Sequence, residues 1–305
     1  MPAADPLTEL DSAEALDPPV SAGRRFFTEL LRSPKGLTGF VLILFVVLVA
    51  IFAPLLAPHD PARQTLSLRF QPPAFAEDGS WTHVLGGDNL GRDIFTRVIY
   101  GSRTSIMVAL LVVFAAMVTG SILGAISGYF GGLVDAVIMR IADFQLSFPF
   151  ILVALLLLAI VGPGFWTMVF ALSVALWVSF ARLVRGETLK IRELEYIQAA
   201  KSIGVGHAAI ILGHVLPNVL PIIIVLATLD IAAVVLYEAA ISFLGLGTQP
   251  PTPSWGGMIS EGRNYLFENY WMALGPGIAI MTTSIAINLF GDFLRDTYDP
   301  RQERL

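Results

Sequence analysis

The chain of 305 residues is 55% apolar and only 14% charged, with a mean hydropathy of +0.72. A soluble domain carries roughly 25% charged residues, so this composition belongs to a protein that crosses a membrane several times. The lack of cysteine excludes disulfides, thiolate-held metals and thiol catalysis, and a net charge of -5 without a basic patch argues against a nucleic-acid partner.

Residues 1–23 combine prolines with Asp5, Glu9, Asp11, Glu14 and Asp17 and read as a disordered acidic tail. The acidic front and the late first apolar run, near residue 36, do not fit a signal peptide. Over 24–36, Phe26, Phe27, Leu30 and Leu31 alternate with Arg24, Arg25, Arg32 and Lys35, the pattern of an amphipathic helix on a membrane surface. A solvated linker is the alternative.

Apolar runs then recur at about 37–57, 104–127, 134–160, 165–184, 217–244 and 271–294. Each is near the ~20 residues that a helix needs to cross ~30 Å of hydrocarbon, so the expected fold is an all-α membrane protein with six transmembrane helices. An even number of spans puts both termini on one side. The outer segments then hold only Arg63, Arg69, Arg92, Arg97, Arg103 and Arg263, and the remaining Lys and Arg fall on the side of the termini. The positive-inside rule therefore assigns the termini and the 185–216 loop to the cytoplasm.

The first outer loop, 58–103, is proline-rich up to Gly79 and then reads Leu85-Gly86-Gly87-Asp88-Asn89-Leu90-Gly91-Arg92-Asp93-Ile94-Phe95-Thr96-Arg97. Leu90, Ile94, Phe95, Val98 and Ile99 share one helical face, which predicts an interfacial helix on the outer surface. Asp88 with Arg92 and Asp93 with Arg97 are acid-before-base pairs at i,i+4. Carboxylates so placed are expected to be neutralised by arginine rather than to act in catalysis.

Within the third run, Arg140 and Asp143 form an i,i+3 charge pair, and Pro149 removes a helix hydrogen bond and predicts a bend. Charges at membrane depth pair or face a cavity. Arg140 and Asp143 are accordingly expected to clamp each other. Asp230 and Glu238 in the fifth run, and Asn288 and Asp292 in the sixth, are expected at helix contacts or along a path, with an ion relay as the alternative. His59, His83, His207 and His214 lie in or beside loops with no shared helical spacing, which speaks against a metal site. Between the fifth and sixth runs, glycines and prolines predict a rigid outer cap that carries Trp255 at the interface. Gly275-Pro276-Gly277 predicts a kink in the sixth.

The segment Glu195-Tyr196-Ile197-Gln198-Ala199-Ala200-Lys201-Ser202-Ile203-Gly204 is polar and helix-forming between two apolar runs, and Gly204 is a natural helix stop. A second short helix is predicted over 206–215, with Pro217 opening the next span. Ala199-Ala200, three residues, Gly204, nine residues, then Leu216-Pro217 resembles the coupling loop of permease subunits of ATP-binding-cassette importers. The string from Leu85 to Arg97 is similar to the Leu-Gly-Thr-Asp-x-x-Gly-Arg-Asp-x-x-Ser-Arg signature of the C-type dipeptide and oligopeptide permeases, with Gly87 in place of Thr and Thr96 in place of Ser. Gln198 stands where many importers have Glu.

The resemblance implies a type I importer permease fold, a bacterial inner-membrane location and no catalysis in this chain. It implies a second related permease, two ATPase subunits that carry ATP and Mg, and an extracytoplasmic binding protein. Glu195, Gln198, Ala199, Ala200, Gly204, Leu216 and Pro217 are the coupling residues it implies, and Asp88, Gly91, Arg92, Asp93 and Arg97 the outer signature. Peptides are the leading substrate; nickel chelates, glutathione, opines and oligosaccharides belong to the same subfamily. An ion-coupled carrier would show two similar halves with interrupted helices. An intramembrane hydrolase would need a nucleophile with its base, or a zinc site. Neither pattern occurs, and no Gly-x-x-x-x-Gly-Lys-Ser/Thr phosphate loop is present.

Overall fold

The computed structural model describes residues 22–298, so residues 1–21 of the acidic tail, Arg301 and Arg304 lie outside the described residues. The described chain is helical: α1 (Ala22–Arg32), α2 (Pro34–Ile51), α3 (Ala53–Leu56), α4 (Ile94–Phe130), α5 (Gly132–Leu146), α6 (Phe150–Val161), α7 (Phe165–Ile191), α8 (Glu195–Ser202), α9 (His207–Ile210), α10 (Leu216–Phe243), α11 (Trp255–Gly262) and α12 (Trp271–Tyr298). Five helices are long and apolar enough to cross a membrane, and the pair α5 and α6 makes a sixth span if taken together.

The centre of the bundle is α4 against α7. Gly120, Gly124 and Gly128 repeat every four residues and so line one face of α4. A Cβ on Gly124 would lie 2.3 Å from the Ala181 carbonyl oxygen, and one on Gly120 2.3 Å from that of Trp177. The two backbones touch there, as small residues permit in membrane helices, where packing rather than hydrophobicity drives association. Val108, Val112 and Ala116 of α4 and Leu172, Phe180 and Val184 of α7 continue the seam and are buried.

Segment 22–32 does form a helix, begun before Ser33 caps α2 by accepting from the Gly36 amide. Leu30 is buried against Phe293 and Leu294 of α12, and Phe26 meets Phe293 edge-on at 5.7 Å. Phe27 and Leu31 point outward.

Several sequence expectations change in the folded chain. The outer segment starting near Asp88 makes no separate interfacial helix: from Ile94 it is the first turns of the 37-residue α4. Asp93 caps that helix by accepting from the Thr96 amide at 2.9 Å, and Ile94 packs with Met258 and Met272 rather than on a lipid surface. Helix 206–215 is not separate either. From α9 the chain passes through one wide turn, Ile211–Val215, in which the Leu216 amide donates to the Ile211 carbonyl, and continues directly as α10. The wide turn, with side-chain-free Gly213 within it, lets the chain enter Pro217 without a break.

The bend expected at Pro149 is sharper than a kink: α5 and α6 meet at 89°. Pro149 is the N-cap of α6, and the Ser147 amide closes α5 on the Asp143 carbonyl at 3.2 Å. Pro276, in contrast, lies inside the unbroken α12.

Candidate functional site

At the loop end of α7, the chain makes one short helix held on a stem. Helix α8 stops in a Schellman turn: the Gly204 amide donates to the Lys201 carbonyl and the Val205 amide to that of Ala200, both at 3.0 Å, with Gly204 at φ +82°. A Cβ at Gly204 would meet nothing within 4 Å, so glycine is needed there for its backbone angle alone. Ile197 turns inward and is buried in the main core with Ile210 and Val215.

The stem is braced against the α4–α5 corner. Arg192 donates to the Gly128 carbonyl at 2.9 Å, the Tyr129 hydroxyl and His207 Nδ1 are 2.9 Å apart, and the Lys201 ammonium sits 5.0 Å over the Tyr129 ring. Arg185 reaches Asp135 with two N–H groups, and the Ser127 hydroxyl donates to the same carboxylate. Gln198 donates to the Arg192 carbonyl at 2.8 Å, and Asn218 to that of His214 at 2.6 Å.

The outward side of this unit is open. Glu195, Gln198 and Ala199 are exposed and Ala200 is half-buried. Apolar side chains are exposed beside them: Leu194 by 45%, Tyr196 by 46%, Leu212 by 64% and Ile203 by 80%. Leu216 and Pro217 stand at the entry to α10, Leu216 half-buried and Pro217 exposed.

The expected clamp between Arg140 and Asp143 does not form. Asp143 pairs instead with Arg182 of α7, and Arg140 is exposed on α5. An i,i+3 spacing made the first pair possible, but packing α5 on α7 brings a guanidinium from outside the helix. Glu238 is fully buried and accepts from Ser105 at 2.9 Å and Ser242 at 2.7 Å. Asp230 is half-buried with one buried oxygen that has no hydrogen-bond partner, while Asn288 and Asp292 are exposed one turn apart on α12. Among the described residues no hydrogen bond or ion pair links Arg140, Asp230, Glu238, Asn288 or Asp292 to one another.

The opposite end of the bundle, where α4 begins, is closed. Asp88 accepts from the Leu90 and Arg92 amides, from Arg92 Nε at 2.6 Å and from Arg97 Nη1. Arg92 and Arg97 then donate together to Glu261 of α11, at 2.6 and 2.8 Å. The Asp88 to Arg92 pair thus forms as spaced, whereas Arg97 turns from Asp93 to Asp88 and Glu261. Gly91 has φ +71°, which favours glycine at that signature position, and a Cβ on Gly87, where the signature has Thr, would stand 2.2 Å from the Leu68 carbonyl oxygen. Glu261 had no sequence signal, because its partners lie more than 160 residues away.

Trp255, expected at the interface, is 2% exposed: its indole donates to the Val98 carbonyl at 2.9 Å and packs on Gly101. The histidines do not all stay apart. His59 and His83 stack at 4.7 Å beside Asp93, and burial pushes the His83 imidazole below its ordinary pKa, with Asp93 opposing and His59 adding to the shift.

Residues 120–304 match the family model described as binding-protein-dependent transport system inner membrane component, and residues 21–73 match the N-terminal TM domain of oligopeptide transport permease C. The chain is 41% identical to the probable D,D-dipeptide transport system permease protein DdpC of Escherichia coli K12, over 92% of each chain. It is 41% identical to the dipeptide transport system permease protein DppC of Alkalihalophilus pseudofirmus, over 93% of this chain and 91% of that one. The di/tripeptide permease DppC of Pseudomonas aeruginosa is 35% identical over 97% and 98%. A structure of the MetNI methionine ABC transporter in inward-facing conformations superposes with a TM-score of 0.52 at 19% identity, over 67% of this chain and 97% of that one, a likeness of fold. The chain belongs to the family of binding-protein-dependent transport system inner membrane components, as a non-catalytic, multi-pass permease subunit of an ABC importer.

Proposed function

We propose that this permease forms half of the path by which di- and oligopeptides cross the membrane, paired with a second related permease, and that α8 is the element that docks on a separate ATPase. The observation that carries this reading is the braced, open α8: a rigid stem that presents exposed Leu194, Tyr196, Ile203 and Ala199 in a chain without a phosphate loop. Both termini and this loop lie in the cytoplasm, where ATP is. ATP drives the ATPase subunits together, α8 carries the displacement into α7 and α10, and the path opens to the extracytoplasmic binding protein. A ligand moves a distant site only by favouring one of two states of such an element. Peptide cargo rests on what the similar permeases are named for.

The test is Ala199→Glu, on an exposed position that leaves the core untouched. The variant is expected to insert and to pair with its partner permease, to bind the ATPase at least about tenfold more weakly (~1.4 kcal/mol), and to lose ATP-driven uptake in vesicles. ATPase retained on co-purification, together with normal uptake, would overturn the docking role. Thermal-shift screening of the cognate binding protein with dipeptides, nickel chelates and oligosaccharides tests the cargo separately.

A further inference from the structure

Three segments distant in sequence converge at the outer end: the chain just after α3, the loop before α4, and the residue that caps α4. They bring His59, His83 and Asp93 together, with one ligand atom from each inside 4.8 Å of the others. His59 Nδ1 is 3.4 Å from Asp93 Oδ2, and the imidazole rings lie nearly parallel, 9° apart. Asp93 is 3% exposed; its Oδ2 accepts from the Thr96 amide, and its Oδ1 is buried with no hydrogen-bond partner. The Arg92 and Arg97 guanidiniums pair with Asp88 and Glu261 and not with Asp93, Arg97 Nε alone being left without a partner. A buried carboxylate with one oxygen, Oδ2, against an imidazole and the other, Oδ1, without a donor has room for a cation.

We propose that His59, His83 and Asp93 bind one divalent transition-metal ion of the zinc type, which staples the end of the first span to the outer loop and to the start of the second. Two nitrogens and one oxygen suit that class, with water in a fourth position. Ligand bonds of about 2.0–2.1 Å in a tetrahedron place ligand atoms about 3.4 Å apart. The His59 to Asp93 edge already has that length. The remaining closure falls to the His83 ring, whose rotation about χ2 turns its ligand nitrogen toward that edge. Thr82 Oγ1, 3.2 Å from His83 Nδ1, can accept that N–H and leave Nε2 as the ligand, the outer-sphere support usual for metal-bound histidine. Helical spacing could not reveal this site, because its members lie on three separate stretches of chain.

The test uses the assembled transporter in detergent, purified without a polyhistidine tag and stripped with a chelator. Titration with zinc by calorimetry, and with cobalt by visible absorbance, is expected to give one saturable site per chain with the strong absorbance of tetrahedral cobalt. His59→Gln, His83→Gln and Asp93→Asn are each expected to weaken it at least tenfold, and Asp93→Asn retains an oxygen to cap α4. Zinc is expected to raise the melting midpoint of the wild type and not that of His59→Gln. No saturable binding by the wild type, or equal binding by the wild type and half-exposed His59→Gln, overturns the proposal, and the wild-type titration decides even where a buried variant fails to assemble.

Discussion

The two ends of the bundle solve opposite problems. At the end that begins α4, Asp88, Arg92, Arg97 and Glu261 pair within the chain, only Arg97 Nε lacking a partner, and Trp255 is sealed against α4. At the α8 end the braces point inward, and the far side carries Ile203 and Leu212, exposed by 80% and 64%. A closed end keeps its shape without a neighbour, and an open end is shaped for one. The loop before α4 is therefore part of the permease's own stability, whereas α8 is anchored on one face and leaves the other uncovered.

The sharpest break of this comparison is in topology. Gln71→Cys and Lys190→Cys, in a chain with no native cysteine, are expected to differ all-or-none: a membrane-impermeant thiol reagent on intact cells labels the first and spares the second. The reverse pattern would exchange the two ends and remove α8 from the ATPase side.

Next in size is Arg97→Ala. Deleting one partner of a buried charge network costs about 3–5 kcal/mol, so the purified chain should melt at a lower temperature and yield less assembled transporter. An unchanged midpoint would mean that the outer end is not a stability element. Gly204→Val should act in the opposite manner. Forcing a branched side chain to positive φ costs about 1–3 kcal/mol locally, expressed as loss of ATPase co-purification and uptake with little change in the melting of the membrane core. Core melting that falls as far as in Arg97→Ala would contradict the division between the ends.

The smallest effects belong to α5. The Asp143 to Arg182 pair is about half exposed, so neutralising either residue should cost no more than about 1 kcal/mol, and Arg140→Ala nothing measurable. A large loss of assembly in Arg140→Ala, read by size-exclusion profile, would reinstate a clamp on that residue.

What could be read from sequence was what depends on near neighbours. The Asp88 to Arg92 pair, the stop at Gly204 and the break at Pro149 each follow from residues within about one helical turn. Arg97 escaped because Glu261 lies 164 positions away, and Arg182 because α7 must first pack on α5. Periodicity drew an interfacial helix through Leu90, Ile94, Phe95, Val98 and Ile99, since an apolar stripe looks the same against lipid as against Met258 and Met272. The glycine repeat of α4 carried a signal, spacing by four, that identifies its partner helix only once both are packed.

The right angle between α5 and α6 has a consequence for the bilayer itself. The two legs, of 15 and 12 residues, measure about 22 and 18 Å, so neither alone crosses ~30 Å of hydrocarbon, and at 89° both cannot follow the membrane normal. At 147–149 the chain closes its own bonds, the Ser147 and Phe148 amides donating to the Asp143 and Gln145 carbonyls and the Pro149 carbonyl accepting from Leu152, as a span without water requires. Gln145 holds the corner to α7 by donating to the Val174 and Ala175 carbonyls while accepting from Trp177. On the far side, Leu152, Leu156 and Ile160 form an exposed stripe along α6. The corner therefore makes this span, unlike its neighbours, a broken one that changes direction part-way along its length.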